Sequence, residues 1–271
     1  MTEVNIMPTP PNITVVAGPP GSGKTIWISQ FLSGANARLG YLYPGAGAEA
    51  VDRLRIGYRF PQVSVLEEAE APALLMDLPN SAQVYIELGF HLDLATLPFN
   101  GLPCRRVAVV PPDLAQSEWH DWADEVVVGN KIEIPSGDVL PTLWRAPLTG
   151  QVFDPPSLDE LLIELTGGAY GKVSRLKGIF ELPDGRAFYV DFVAGMPGLE
   201  YTELKLPRWL DGRPSRLSGL EVVGYDLQQT PIKETLLAAC LSDEILAQYQ
   251  RQYRQHYDQS ESVSNMREAV A

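Results

Sequence analysis

Gly18-Pro19-Pro20-Gly21-Ser22-Gly23-Lys24-Thr25 decides how this chain is read. The octapeptide runs glycine, four free positions, glycine, lysine, threonine, which is the spacing of a phosphate-binding loop. At average residue usage such a match arises by chance in roughly one chain of this length in a hundred. Its setting sharpens it: Ile13-Thr14-Val15-Val16-Ala17 reads as a buried strand running into the loop, and a helix is expected out of it, from about Lys24 to Leu32. Glycines let successive backbone N–H groups turn toward a phosphate with no Cβ in the way. Lys24 then suits the β and γ phosphates and the Thr25 hydroxyl a Mg²⁺ shell. A plain turn needs glycine but has no use for Lys-Thr at those two positions.

Working outward, strands are expected at Leu39 to Tyr43, Val63 to Leu66, Val84 to Leu88, Val107 to Val110 and Glu125 to Val128. Helical stretches, Glu67 to Asp77 and Leu114 to Ala123, fall between them. Strands alternating with helices predict an α/β fold, a P-loop NTPase with a mostly parallel sheet. Beyond Pro155-Pro156 the pattern changes to a smaller α+β domain. There Ser157 to Leu165 reads as a helix capped by its serine. Val173 to Glu181 and Arg186 to Val193 flank Leu182-Pro183-Asp184-Gly185, a hairpin signal because Asp-Gly supplies the positive backbone angles of such turns. A strand near Leu217 to Val223 and helices over Ile232 to Leu241 and Asp243 to Tyr257 complete it. The expected division is a flexible N-terminus over 1–12, a P-loop domain over 13–153, a C-terminal domain over 154–257 and a polar, disordered tail over 258–271.

Composition narrows the partners. Of 271 residues, 45% are apolar and 20% charged, the proportions of a globular protein rather than a disordered one. Lys and Arg total 21 against 34 Asp and Glu, and a net charge of -13 repels phosphate backbones and anionic lipid, so nucleic acid is not an expected partner. No apolar run reaches the 18 or so residues of a membrane span, and no Lys or Arg precedes Lys24, so a cytoplasmic protein is expected. The two cysteines, Cys104 and Cys240, are far apart and read as small buried hydrophobes. His91, Asp93, Cys104, His120 and His256 are scattered and form no recognised ligand spacing, so Mg²⁺ arriving with nucleotide is the one metal expected.

Two further segments stand where a nucleotide hydrolase needs them. Val84-Tyr85-Ile86-Glu87 is a strand ending in a carboxylate, suited to a magnesium-bound water or to the attacking one. Asn130-Lys131-Ile132-Glu133 follows the strand Val126-Val127-Val128, where many GTPases carry Asn-Lys-x-Asp and the acid accepts two hydrogen bonds from guanine. Here the acid is Glu133, one methylene longer.

In their order these residues resemble the CobW-type GTP-binding proteins, P-loop GTPases of the SIMIBI class. Glu87 and Asp93 fall at the spacing of the family's Glu-x-x-Gly-x-x-Asp, with the glycine moved by one to Gly89. Gly171-Lys172-Val173-Ser174-Arg175-Leu176-Lys177-Gly178-Ile179 looks like its Gly-x-Val-x-Arg-x-Lys-Gly strand, and Arg216 to Gly224 its closing stretch. The resemblance covers most of residues 13 to 241. The Cys-x-Cys-Cys motif of the metal-handling members is missing, since residues 26 to 86 hold no cysteine and no histidine. The resemblance implies a GTP-binding protein with Mg²⁺ and slow GTPase activity, a chaperone or assembly factor linked to metal or cofactor delivery to an unidentified client protein. On that reading Lys24 and Glu87 are catalytic and Thr25 and Glu87 hold Mg²⁺. Gly18 to Thr25 with Asn130, Lys131 and Glu133 bind the nucleotide. Two alternatives stand beside it: a catalytically weak nucleotide-binding scaffold or regulatory subunit, and an ATP-dependent small-molecule kinase. Self-association into a homo-oligomer is left open.

Overall fold

The computed structural model describes residues 12–33, 38–45, 47, 49–69, 82–97, 103–132 and 141–268. They belong to two compact units, one ending at Ser136 and one starting at Gly137. In the first unit, strands β1 (Asn12–Ala17), β2 (Leu39–Leu42), β3 (Ser64–Val65), β4 (Gln83–Glu87), β5 (Arg105–Val110) and β6 (Glu125–Val128) form one sheet in the order β3-β2-β4-β1-β5-β6. Every neighbouring pair is parallel, as the alternating pattern predicts. The fold class is therefore α/β, with a second, antiparallel sheet in the other unit.

Parallel strands read as continuous apolar runs because both of their faces are covered. Val16, Tyr41, Tyr85, Val107 and Val109 pack on one face with Ile28 and Leu32; Val15, Ala17, Leu42, Val84, Ile86 and Leu88 cluster on the other. Ile28 belongs to α1 (Lys24–Ser29), which lies on the first face and carries Lys24 and Thr25 in its opening turn. α1 is shorter than expected: after Ser29 the bonds tighten, Phe31 N–H to the Ile28 carbonyl and Leu32 N–H to that of Ser29.

Two more helices sit in this unit. α2 (Val51–Arg59) is not expected from sequence, because Gly57 and three arginines dilute an apolar face of Val51, Leu54 and Ile56. α3 (Glu118–Trp122) is half the expected stretch; Pro111-Pro112 start a turn whose Leu114 N–H bonds the Pro111 carbonyl, and Ser117 opens the helix only then. The helix expected over 67–77 falls largely outside the described residues.

In the second unit β7 (Thr142–Pro147), β8 (Lys172–Glu181), β9 (Ala187–Val193), β10 (Glu200–Leu204) and β11 (Gly219–Tyr225) form an antiparallel sheet, β10-β9-β8-β11-β7. β7 and β10 were not expected. β7 pairs with β11 from Thr142 to Pro147. Trp144 and Ala146 of β7 pack on the core while Leu143 and Arg145 alternate to the other side, a half-buried edge whose pattern is weak in sequence. The hairpin at 182–186 forms as read, with Gly185 at φ +82.

Over one face lie α4 (Pro155–Gly167) and α5 (Gln229–Ala238), burying Leu158, Leu161, Leu162, Leu165, Ile232 and Leu236 against Leu176, Phe180, Val190 and Val222. The cap of α4 is Asp154 rather than Ser157: its carboxylate accepts from the Ser157 N–H at 3.2 Å, and Pro155 takes the first helical position where a missing N–H costs nothing. α6 (Asp243–Glu268) continues past Tyr257 as far as Glu268, into the segment expected as a tail, which holds neither proline nor glycine. Cys104 and Cys240 are half-buried rather than buried. Burial raises both thiols, Cys240 to about 11.

Candidate phosphate-loop site

The loop leaves the C-terminal end of β1, between β4 and β5, which is where ligands bind in open parallel sheets. Gly18 adopts φ +145, and a Cβ there would stand 2.1 Å from the Val109 carbonyl oxygen, so only glycine lets the loop start so close to β5. Ser22 is fully buried. Its Oγ has no hydrogen-bond partner among the described residues. Gly23, at φ +98, opens α1. Lys24 Nζ turns back into the loop and donates to the carbonyls of Gly18 at 2.8 Å and Pro19 at 3.0 Å. A flexible ammonium held on its own loop lies within reach of whatever anion the loop encloses.

Glu87 ends β4 beside β1, paired in register with Val16, and shares the α1 face with Tyr85 by strand alternation. It is 2% exposed. Thr25 Oγ1 donates to its Oε1 at 2.8 Å and the Tyr41 hydroxyl to its Oε2 at 2.9 Å. Tyr41 is fully buried on β2. Burial and then the charge of Glu87, with smaller pushes from Asp52 and Tyr43, hold the phenol well above its usual range. It therefore stays a neutral donor. Asp52 of α2, 1% exposed, adds a second buried carboxylate nearby.

On the other side of β1, after β6, Asn130 is tied to the loop: its backbone N–H donates to the Ser22 carbonyl at 2.9 Å and its Nδ2 to that of Gly21 at 3.0 Å. A Cβ on Gly129 would lie 2.2 Å from the Ser22 oxygen, so the two loops touch backbone to backbone. Lys131 reaches out to Asp113 at 3.4 Å, a pair exposed on both sides. Glu133 lies outside the described residues.

Of the sequence-derived residues, the fold thus brings Gly18 to Thr25, Glu87 and Asn130 together. Asp93 is used locally: its carboxylate accepts from the Ala95 N–H at 2.9 Å. A Cβ at Gly89 would meet the His91 ring at 2.4 Å, an exposed side chain that can turn aside. His120 Nδ1 lies 2.7 Å from Ser117 Oγ. Among the described residues no three His, Cys, Asp or Glu side chains are grouped to share a metal ion, and no described helix is long and apolar enough to cross a membrane. In the second unit Arg175 is buried against Asp191 and the Leu176 and Phe192 carbonyls. Sequence reasoning passes over Tyr41 and Asp52. The usable signal was a hydroxyl inside an otherwise apolar strand, which must find a partner when buried.

Thr25 and Glu87 offer hard oxygen donors, one hydroxyl and one carboxylate, a set that fits Mg²⁺ brought by phosphate oxygens rather than a softer metal.

No protein-family model matches this chain. No curated protein matches it either. Among solved structures it is similar to the Zn(II)-bound YjiA GTPase from E. coli, 11% identical, covering 85% of this chain and 99% of that one with a TM-score of 0.30. It is similar to a Zn(II)-bound triple mutant of YjiA GTPase to the same degree, 11% identical with a TM-score of 0.30, covering 84% of this chain and 99% of that one.

Proposed function

We propose that the first unit is a Mg²⁺-dependent nucleotide-binding and slowly hydrolysing domain, with GTP as its nucleotide. The observation that carries this is the Thr25–Glu87 hydrogen bond, which joins the last residue of the phosphate-loop motif to the strand-end acid across 62 residues of chain. On this reading the loop N–H groups enclose the β phosphate, and Lys24 exchanges its carbonyl partners for the β and γ phosphates. There it stabilises the charge that builds on the transferred phosphoryl group. Thr25 and Glu87 would hold Mg²⁺, which would neutralise part of the charge on the phosphates. The bond from Thr25 favours this role for Glu87 over direct orientation of water.

Guanine selectivity would come from Asn130, Lys131 and Glu133, and the tie of Asn130 to the loop supports their belonging to one site. The order of the motifs supports a CobW-like assembly factor or chaperone, in which the nucleotide state governs a client. A second reading, a nucleotide-binding scaffold with weak turnover, is favoured by the loop after Glu87, where the Asp93 carboxylate is already engaged by the Ala95 N–H.

Binding and turnover of GTP and ATP, each with Mg²⁺ and with EDTA, test the proposal. GTP is expected to bind at least about tenfold better than ATP, because adenine would leave the carboxylate of Glu133 facing an acceptor. Equal affinities would remove base recognition from the 130–133 segment, and binding of GTP without turnover would favour the scaffold.

A further inference from the structure

Tyr41 is built into the site without reaching it. Its ring is fully buried on β2 among Leu39, Ile56, Tyr85 and Val107, where phenylalanine would satisfy the packing. The hydroxyl adds a polar group that burial penalises unless it is paired. Its partner is Glu87: Tyr41 stands opposite Tyr85 in the β2–β4 register, and Glu87 lies two residues further along on the same face, within diagonal reach of a phenol. Thr25 and Tyr41 divide the carboxylate between them, one hydroxyl on each oxygen, at 2.8 and 2.9 Å.

That division has a geometric effect. A carboxylate held at one oxygen can swing about its last torsion; held at both it cannot. Thr25, by giving its hydrogen to Glu87, keeps its oxygen lone pairs for another partner. Mg²⁺ demands near-ideal octahedral geometry at about 2.0 to 2.1 Å and tolerates little wandering of its ligands. Groups that orient a metal's ligands typically change metal affinity by about 10- to 100-fold when removed.

We propose that Tyr41 is a positioning residue that fixes Glu87 through its Oε2 and thereby sets how strongly Mg²⁺ enhances nucleotide binding. The inference rests on the reading of the loop as a triphosphate site. Tyr41 touches neither nucleotide nor metal in this account.

The test is a titration of the full chain with GTP, in MgCl₂ and in EDTA, for the wild type, Tyr41→Phe, Glu87→Gln and the double variant. Thermal unfolding of each is read alongside. The ratio of the EDTA to the Mg²⁺ dissociation constant is expected to fall about tenfold in Tyr41→Phe. In the Glu87→Gln background the same substitution should change that ratio by less than about twofold, because the oriented charge is already gone. Should Tyr41→Phe not fold, Tyr41→Met removes the hydroxyl with a side chain that adapts to the gap, and the same ratio is read.

An unchanged ratio in a folded Tyr41 variant overturns the inference, as does an equal loss in both buffers, which marks a packing effect. A fall as large in the Glu87→Gln background as in the wild type also overturns it. A wild type that binds GTP equally with and without Mg²⁺ refutes the role of Tyr41 alone. One that binds GTP in neither buffer refutes the triphosphate site and this inference with it.

Discussion

At the scale of single residues, the two units use buried charge differently. In the first, Glu87 accepts from two hydroxyls, one on each oxygen. In the second, Glu181, 2% exposed, is gripped at both oxygens by the Arg216 guanidinium at 2.6 Å. Arg216 also donates to the carbonyls of Pro207 and Gly185, so one side chain ties three segments of the unit. Removing one partner of a buried pair leaves the other charge desolvated and alone, which costs about 3 to 5 kcal/mol. Arg216→Ala should lower the stability of the protein by that amount in urea unfolding, and Arg216→Lys should recover only part of it because a single ammonium does not match two oxygens. A loss below about 1 kcal/mol would show that the pair is not a fastening of this unit.

At the scale of elements, the legible parts were those whose local chemistry allows one arrangement. Ile13 to Thr25 states strand, loop and helix in turn, because buried branched residues, glycines and a following helical segment each restrict the backbone differently. Asp184-Gly185 states a turn for the same reason. Gly185 sits at φ +82, and a Cβ there would stand 2.7 Å from the Trp209 N atom. Gly185→Ala should therefore destabilise the β8–β9 hairpin by about 1 to 3 kcal/mol, read as a lower unfolding midpoint with unchanged denaturant slope. No change in midpoint would contradict that close approach.

The illegible elements are those fixed by partners far away in sequence. β7 is held by its pairing with β11, and α2 by burying Leu54 and Ile56 under a face otherwise marked by arginines. A smaller part of the site was hidden in the same way. Lys24, Thr25, Glu87 and Asn130 are visible as motif positions. Tyr41 becomes functional only because β2 pairs with β4 and points its phenol at Glu87.

At the scale of the whole molecule, each unit carries its own apolar clusters, so each has the means to fold by itself. We propose that the working boundary is near 137, not 154. A fragment of residues 137–271 should unfold cooperatively on its own, whereas residues 154–271, deprived of β7, should expose the β11 edge and aggregate or melt broadly. Equal cooperativity of the two fragments by circular dichroism would return the boundary to the Pro155-Pro156 region.

If the loop at 18–25 holds a triphosphate through Lys24, titration calorimetry of GTP with Mg²⁺ will separate wild type from Lys24→Ala. Losing the one ammonium of the loop removes charge-assisted bonds worth about 2 to 4 kcal/mol, so affinity should fall roughly 30- to 1000-fold while the unfolding midpoint stays close to that of the wild type. The same GTP affinity in both proteins would contradict the assignment of this loop as the nucleotide site.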